Sequence, residues 1–204
     1  MKIVALFVLA LPALANNVPR ITFSKSFPGS VPAYVEITID QSGAGEYKED
    51  AKDDNPLKFQ LKQPDSAAIF ALGDKLDHFT HPLEAGGKVA NMGMKTFRYQ
   101  GPDGESHEVK FNFSEDLEAK SLLDWFERIS ETERSLIDLE RAVRFDKLGV
   151  QDAILRIEVA RDQKRLVAEE QFLPMLDRVV KSESYLHMAR SRAAALAESI
   201  RAPK

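Results

Sequence analysis

The sequence predicts an α+β protein: a mainly antiparallel sheet with one or two packed helices, followed by a C-terminal helical bundle. Three observations carry this. From about Ile21 to Phe113, apolar residues recur mostly at every second position, the period of a half-buried strand. Turn segments at Gln41–Gly45 and Gly101–Gly104 separate strands that can pair as hairpins. From about Asp116 onward the apolar spacing changes to three and four, the period of a helix.

The chain opens on Met1-Lys2, an apolar run from Ile3 to Leu11, Pro12, and Ala13-Leu14-Ala15. A short basic start, an apolar core and a small-x-small site are the three parts of a secretory signal peptide. The run is shorter than the ~20 residues that span a bilayer. The expected product is cut near Ala15, is periplasmic or extracellular, and has no membrane span after leader cleavage.

Ala33 to Asp40 alternates, with Val35, Ile37 and Ile39 on one face and Tyr34, Glu36 and Thr38 on the other. Glu46–Glu49 can return as the second strand of a hairpin, and Leu57–Leu61 makes a short third strand. Pro64-Asp65-Ser66 opens a helix, with proline and an acid in its first turn. Its stripe is Ile69, Leu72, Leu76 and Phe79, weakened by Gly73 and ended by Pro82. Glu84–Gly93 reads as a loop. Thr96–Tyr99 and Glu108–Phe113 form a hairpin around Gly101-Pro102-Asp103-Gly104.

Ser114 is the expected cap of a helix carrying Leu122, Phe126 and Ile129. Ser130-Glu131-Thr132-Glu133 fits a capping box, so a second helix start, or a bend, and a domain boundary are placed there. The alternative is one unbroken helix of some thirty residues, about 50 Å long. The first placement divides the chain into a signal peptide at 1–15, a sheet domain at 16–130 and a helical segment at 131–204. In the last, helices are expected at Asp152–Leu166, around Leu176–Val180, and from a cap at Ser182 or Ser184 along Leu186, Ala189, Ala193, Leu196 and Ile200. A break near Gln171-Phe172 precedes Pro174. Each apolar stripe needs a cover, and the bundle is expected to leave at least one seam partly exposed as an interaction surface.

From Ile21 to Ile129 the chain resembles a family of small secreted bacterial domains of unknown function. The likeness rests on Ile21-Thr22-Phe23-Ser24, Pro28-Gly29, Pro32-Ala33-Tyr34-Val35-Glu36-Ile37-Thr38-Ile39 and Gly45-Glu46-Tyr47. A single helix ending near Phe79, a later hairpin and a closing helix complete it. The resemblance implies a small exported domain and carries no catalytic residue. The helices after about Thr132 lie outside it.

Composition narrows the function classes. There is no cysteine, which removes disulfides, thiol nucleophiles and thiolate zinc sites. A net charge of −4 with both signs interspersed offers no basic footprint for nucleic acid. His78 and His81, beside Asp77 and Glu84, are the His/acid cluster that could ligate zinc, but Pro82 pulls His81 out of helix; a plain helix end is the default. Asp53 and Asp54 sit in an acidic loop without the order of an EF-hand, so a solvated loop is the default there. Gly86-Gly87-Lys88 lacks the Walker spacing. No metal or cofactor is expected. Most of the sheet's aromatic residues read as core, and Tyr34, Tyr47 and Tyr99 are the candidates for an exposed ligand or partner surface. The preferred function is a non-catalytic binding or protein-interaction module of the cell envelope, its partner another envelope protein or a small ligand. The competing class is a carboxylate-dependent hydrolase of envelope polymers or peptides.

Overall fold

A computed structural model describes residues 18–202. The leader and its cut near Ala15 lie outside the described residues. Six strands, β1 (Arg20–Ser26), β2 (Tyr34–Asp40), β3 (Ala44–Lys48), β4 (Leu57–Gln60), β5 (Met94–Gln100) and β6 (Ser106–Phe111), form one antiparallel sheet in the order β4-β3-β2-β1-β5-β6. β1 lies in the middle. It pairs with β2 from Arg20↔Asp40 to Ser26↔Tyr34 and with β5 from Arg20↔Gln100 to Ser26↔Met94.

The alternation gives the sheet two unlike faces. Ile21, Phe23, Ile37, Ile39, Tyr47 and Phe97 point to the buried side. The helices α1 (Gln63–Lys75) and α2 (Leu117–Phe145) cover that side. Gly73 lets α1 come close: a Cβ there would stand 2.8 Å from Ile21 Cδ1. Gly45 does the same within the sheet, where the Phe59 ring occupies the space a Cβ would need.

Pro64 lies in the first turn of α1, as its sequence position implies. The helix stops at Lys75 rather than reaching Phe79. Asp77, His78 and Phe79 instead take left-handed φ values of 48°, 49° and 68°. A left-handed turn of non-glycine residues is costly. Here it delivers Leu76 and Phe79 to the core although the helix has ended.

α2 is capped by Asp116, whose carboxylate accepts from the Ala119 amide at 2.8 Å, two residues after the predicted Ser114. It then runs unbroken for 29 residues, so the helix start predicted at Ser130 is replaced by the continuous alternative. Thr132 and Glu133 do not cap anything. Both are buried, and Thr132 Oγ1 donates to the Arg128 carbonyl and accepts from the Val167 amide.

Three more helices follow: α3 (Val150–Asp162), α4 (Leu173–Lys181) and α5 (His187–Arg201). Pro174 sits in the first turn of α4, after a 3₁₀ turn at Glu169–Phe172. α5 begins after Leu186 with no side-chain cap, because Ser182 and Ser184 bond to each other. Ala189, Ala193, Leu196 and Ile200 are buried as predicted, while Leu186 is half exposed. Tyr185 is buried instead and donates its hydroxyl to the Val143 carbonyl, tying the α4–α5 connection to α2. Two hydrophobic cores result. They divide along α2 between Ile129 and Leu136, and Val167 and Ala168 reach back into the sheet core.

Candidate functional site

The open face of the sheet is the first place to look, because Tyr34 lies on it. Several of its charges are paired, across two strands or along one. Glu36 faces Lys48 at 2.9 Å, Arg98 bonds Glu108, and Lys110 reaches Glu108 at 3.0 Å. Tyr34 donates to Glu36 at 2.5 Å. Burial and that bond push the Tyr34 hydroxyl well above its ordinary value. Burial works to raise Glu36, but its bonds from Tyr34 and Lys48 win and hold it below the usual carboxylate range. Tyr34 and Glu36 are thus engaged with each other and with Lys48 rather than offered to a ligand.

Tyr47 and Tyr99 are not on it. Register places Tyr47 opposite Ile37 and Tyr99 opposite Ile21, both on the helix side, and both are buried. The tyrosine surface expected from the sequence is thereby reduced to Tyr34. Tyr47 donates to Glu49, and His78 stacks on Tyr99 with ring centres 4.0 Å apart. His78 also contacts Asp74 at 2.9 Å, while His81 is exposed beyond the left-handed turn. Asp53 accepts from the Asn55 amide within its own exposed loop, beside exposed Asp54. Among the described residues, no three or more His, Cys, Asp or Glu side chains are grouped to hold a metal ion.

A larger opening lies elsewhere, between the two halves. It is a cleft of about 820 Å³. Its floor is one face of α2, with Glu127, Ser130, Glu131, Arg134 and Asp138. One wall is the β1–β2 connection, residues 27–33, held by Ser30 Oγ, which lies 2.7 Å from the Phe27 carbonyl and 2.6 Å from that of Pro32. The other wall is α3, which presents Leu155, Arg156 and Val159. Val31, Leu155 and Val159 are exposed apolar side chains on these walls. Arg165 closes one end, donating to Glu131 at 3.0 Å and to Asp124 at 2.5 Å. No motif in the sequence marks this cleft, because its walls come from segments more than a hundred residues apart.

A smaller cavity of about 140 Å³ adjoins it, and Lys25 and Glu127 line both. Lys95 is buried in its wall. Its ammonium lies 2.7 Å from the Asn112 carbonyl, 3.2 Å from that of Gly93 and 3.5 Å from that of Met92. Burial, and then the nearby Lys25, lower its affinity for a proton.

One further buried ionisable group stands apart from both cavities. Glu133 is fully buried in the middle of α2. One carboxyl oxygen accepts from Gln171 at 2.7 Å, and the other has no hydrogen-bond partner. Burial pushes its pKa up to about 7, against a smaller lowering by the Gln171 bond.

Comparison with known protein families, curated proteins and solved structures finds no match.

Proposed function

We propose that the protein is an exported, non-catalytic binding module of the cell envelope that receives a segment of a partner polypeptide in the cleft between the β1–β2 connection and α3. The observation that carries this reading is the cleft's lining. Exposed Val31, Leu155 and Val159 stand on its two walls, above a floor bearing charges of both signs. Exposed apolar groups rimmed by polar ones are the mark of an interaction surface. The volume lies within the range of ligand-binding clefts, about 300–1,000 Å³. The exposed seam on α3 is also what the amphipathic pattern of the C-terminal helices leads one to expect.

The test is a pull-down from envelope extract with wild-type chain and with Leu155→Asp/Val159→Asp. A protein retained by the first and lost by the second, with both chains equally folded, supports the reading. Retention by both sinks it. Export is tested separately by N-terminal sequencing, with Asn16 as the expected first residue.

A hydrolase is the second reading, because the cleft floor holds Glu127 and Glu131 one helical turn apart. Their backbone positions are about 6 Å apart along the axis, so both carboxylates open into the same stretch of the cleft. Glu131 is, however, engaged by Arg165. Hydrolysis of envelope polymer that disappears in Glu127→Gln is the result this reading requires.

A further inference from the structure

We propose that the pocket bounded by β5, the segment 111–114 and the first turns of α2 binds a small amphipathic monocarboxylate, its carboxylate held by Lys25 and its apolar group lying against Phe111 and Leu123.

The sheet's alternating pattern breaks at one end of its two central strands. On the helix side, β1 reads Ile21, Phe23, Lys25 and β5 reads Tyr99, Phe97, Lys95. Both strands turn from apolar to cationic at the same level. Register places Lys25 directly opposite Lys95. Like charges opposite one another destabilise a sheet, and these two face the pocket together.

The two lysines have different roles. The Lys95 ammonium has its three N–H groups directed at three carbonyls, so it is a fixed buried charge with no free donor. Lys25 is half-buried and makes no hydrogen bond or ion pair among the described residues, so its donors are free. Lys120 sits 5.6 Å above the Phe113 ring at the same pocket. Three ammonium groups therefore line the pocket, against the carboxylate of Glu127 in its lining and that of Glu84 behind it on the Asn112 amide, which leaves one positive charge in excess. The field favours one added negative charge.

The remaining lining selects the kind of anion. Met92, Phe111, Phe113, Ala119 and Leu123 make the walls largely apolar. The pocket's 140 Å³ is close to the roughly 150 Å³ of an apolar cavity that admits benzene. A phosphate, with its higher charge and additional acceptor oxygens, needs more donors than the Lys25 ammonium supplies beside a Lys120 held over the Phe113 ring. A carboxylate on an isobutyl- or phenyl-sized group meets both the charge and the walls. The acid could be free, or it could be the C-terminus of a polypeptide. The inference does not depend on what fills the larger cleft.

The test is titration calorimetry on the full mature chain with 4-methylpentanoate and 4-methylpentanamide. The acid should bind and the amide should be at least about tenfold weaker. Lys25→Met should weaken the acid to the level of the amide while the chain still unfolds cooperatively. Leu123→Trp, which fills the pocket from a half-buried wall, should abolish binding of the acid. Leu155→Asp/Val159→Asp should leave it unchanged, which separates this site from the cleft. Gly-Gly-Leu with a free terminus, compared with 4-methylpentanoate, distinguishes the sources: tighter binding means a peptide terminus, weaker binding a free acid. Equal binding of acid and amide overturns the proposal. So does an unchanged Kd in Lys25→Met, inorganic phosphate binding as tightly as the acid, or no binding of any probe.

Discussion

The sheet core and the helical core are built from different side chains, and the contrast follows from what each has to span. The sheet core is aromatic: Phe23, Phe79, Phe111 and Phe126 all lie with ring centres 5.1–6.0 Å from Phe97. A helix layer stands well off a sheet, and rings fill that gap with few rotatable bonds. The helical core buries six alanines, among them Ala153, Ala160, Ala189 and Ala193. Small residues let neighbouring helices approach to the 8–10 Å at which ridges enter grooves. Large side chains hold one half apart, and small ones let the other close up. α2 takes part in both, which makes it the element through which either core feels the other.

The comparison is broken most directly at Phe97. Phe97→Ala should cost about 3–5 kcal/mol, since it removes a ring that contacts four others and leaves a cavity between sheet and helices. Because α2 is shared, denaturant unfolding should remain a single transition, with far- and near-ultraviolet circular dichroism moving together. Two transitions, with only one displaced, would show that the halves are independent domains.

The next largest effect is at Glu133, where the two cores meet. Its pKa is raised from an ordinary 4.5 to about 7, so the folded chain holds this proton more tightly than the unfolded chain does. The sign follows: stability is greatest at and below pH 4.5, falls as the pH rises towards 7, and is lower by about 3 kcal/mol above that. Glu133→Gln keeps an acceptor for Gln171 but cannot ionise. It should raise the melting temperature at pH 8 and leave it nearly unchanged at pH 4.5. An equal effect at both values would show that burial does not set this group's charge.

The helical core is sharpened by adding volume rather than removing it. Ala193 is fully buried on α5. Ala193→Leu should cost roughly 1–3 kcal/mol, because close helices have no room for three more carbons. At Leu123, on the half-buried wall of the lysine pocket, added volume should be tolerated far better. Thermal melts of the two variants measure that difference.

These contrasts also show which features were legible in the chain. Strands with clean alternation, such as Val35-Glu36-Ile37-Thr38-Ile39, announce both their form and their buried face. Pro64 and Pro174 mark two helix starts for the same local reason, a fixed φ and a missing donor. Features set by distant partners were not legible. Ser130-Glu131-Thr132-Glu133 has the spelling of a capping box, but the Val167 amide and Gln171 bury Thr132 and Glu133 inside a continuous helix. Tyr47 and Tyr99 take their side of the sheet from register with β2 and β1. The lysine pocket left one faint signal, a cation in the apolar phase of two strands. Their pairing joins residues 25 and 95, which no local pattern connects.

The smallest effects belong to the open face, and they complete the contrast between a sheet's two sides. Arg98 and Glu108 are directly opposite on β5 and β6 and form an ion pair in contact with solvent. Hydrogen bonds from Arg98 and Lys110 hold Glu108 below the usual carboxylate range. A depressed carboxylate contributes stability above its unfolded pKa and loses it as the pH falls through the folded value. Water and salt screen so exposed a pair, so Glu108→Gln should cost about 0.2–1 kcal/mol at pH 7 and low salt. The loss should fade at pH 2–3 and again in 1 M salt. A penalty of several kcal/mol that survives high salt would mean this face is shielded from solvent, by a second copy or a partner, and the asymmetry between the two faces would then be false.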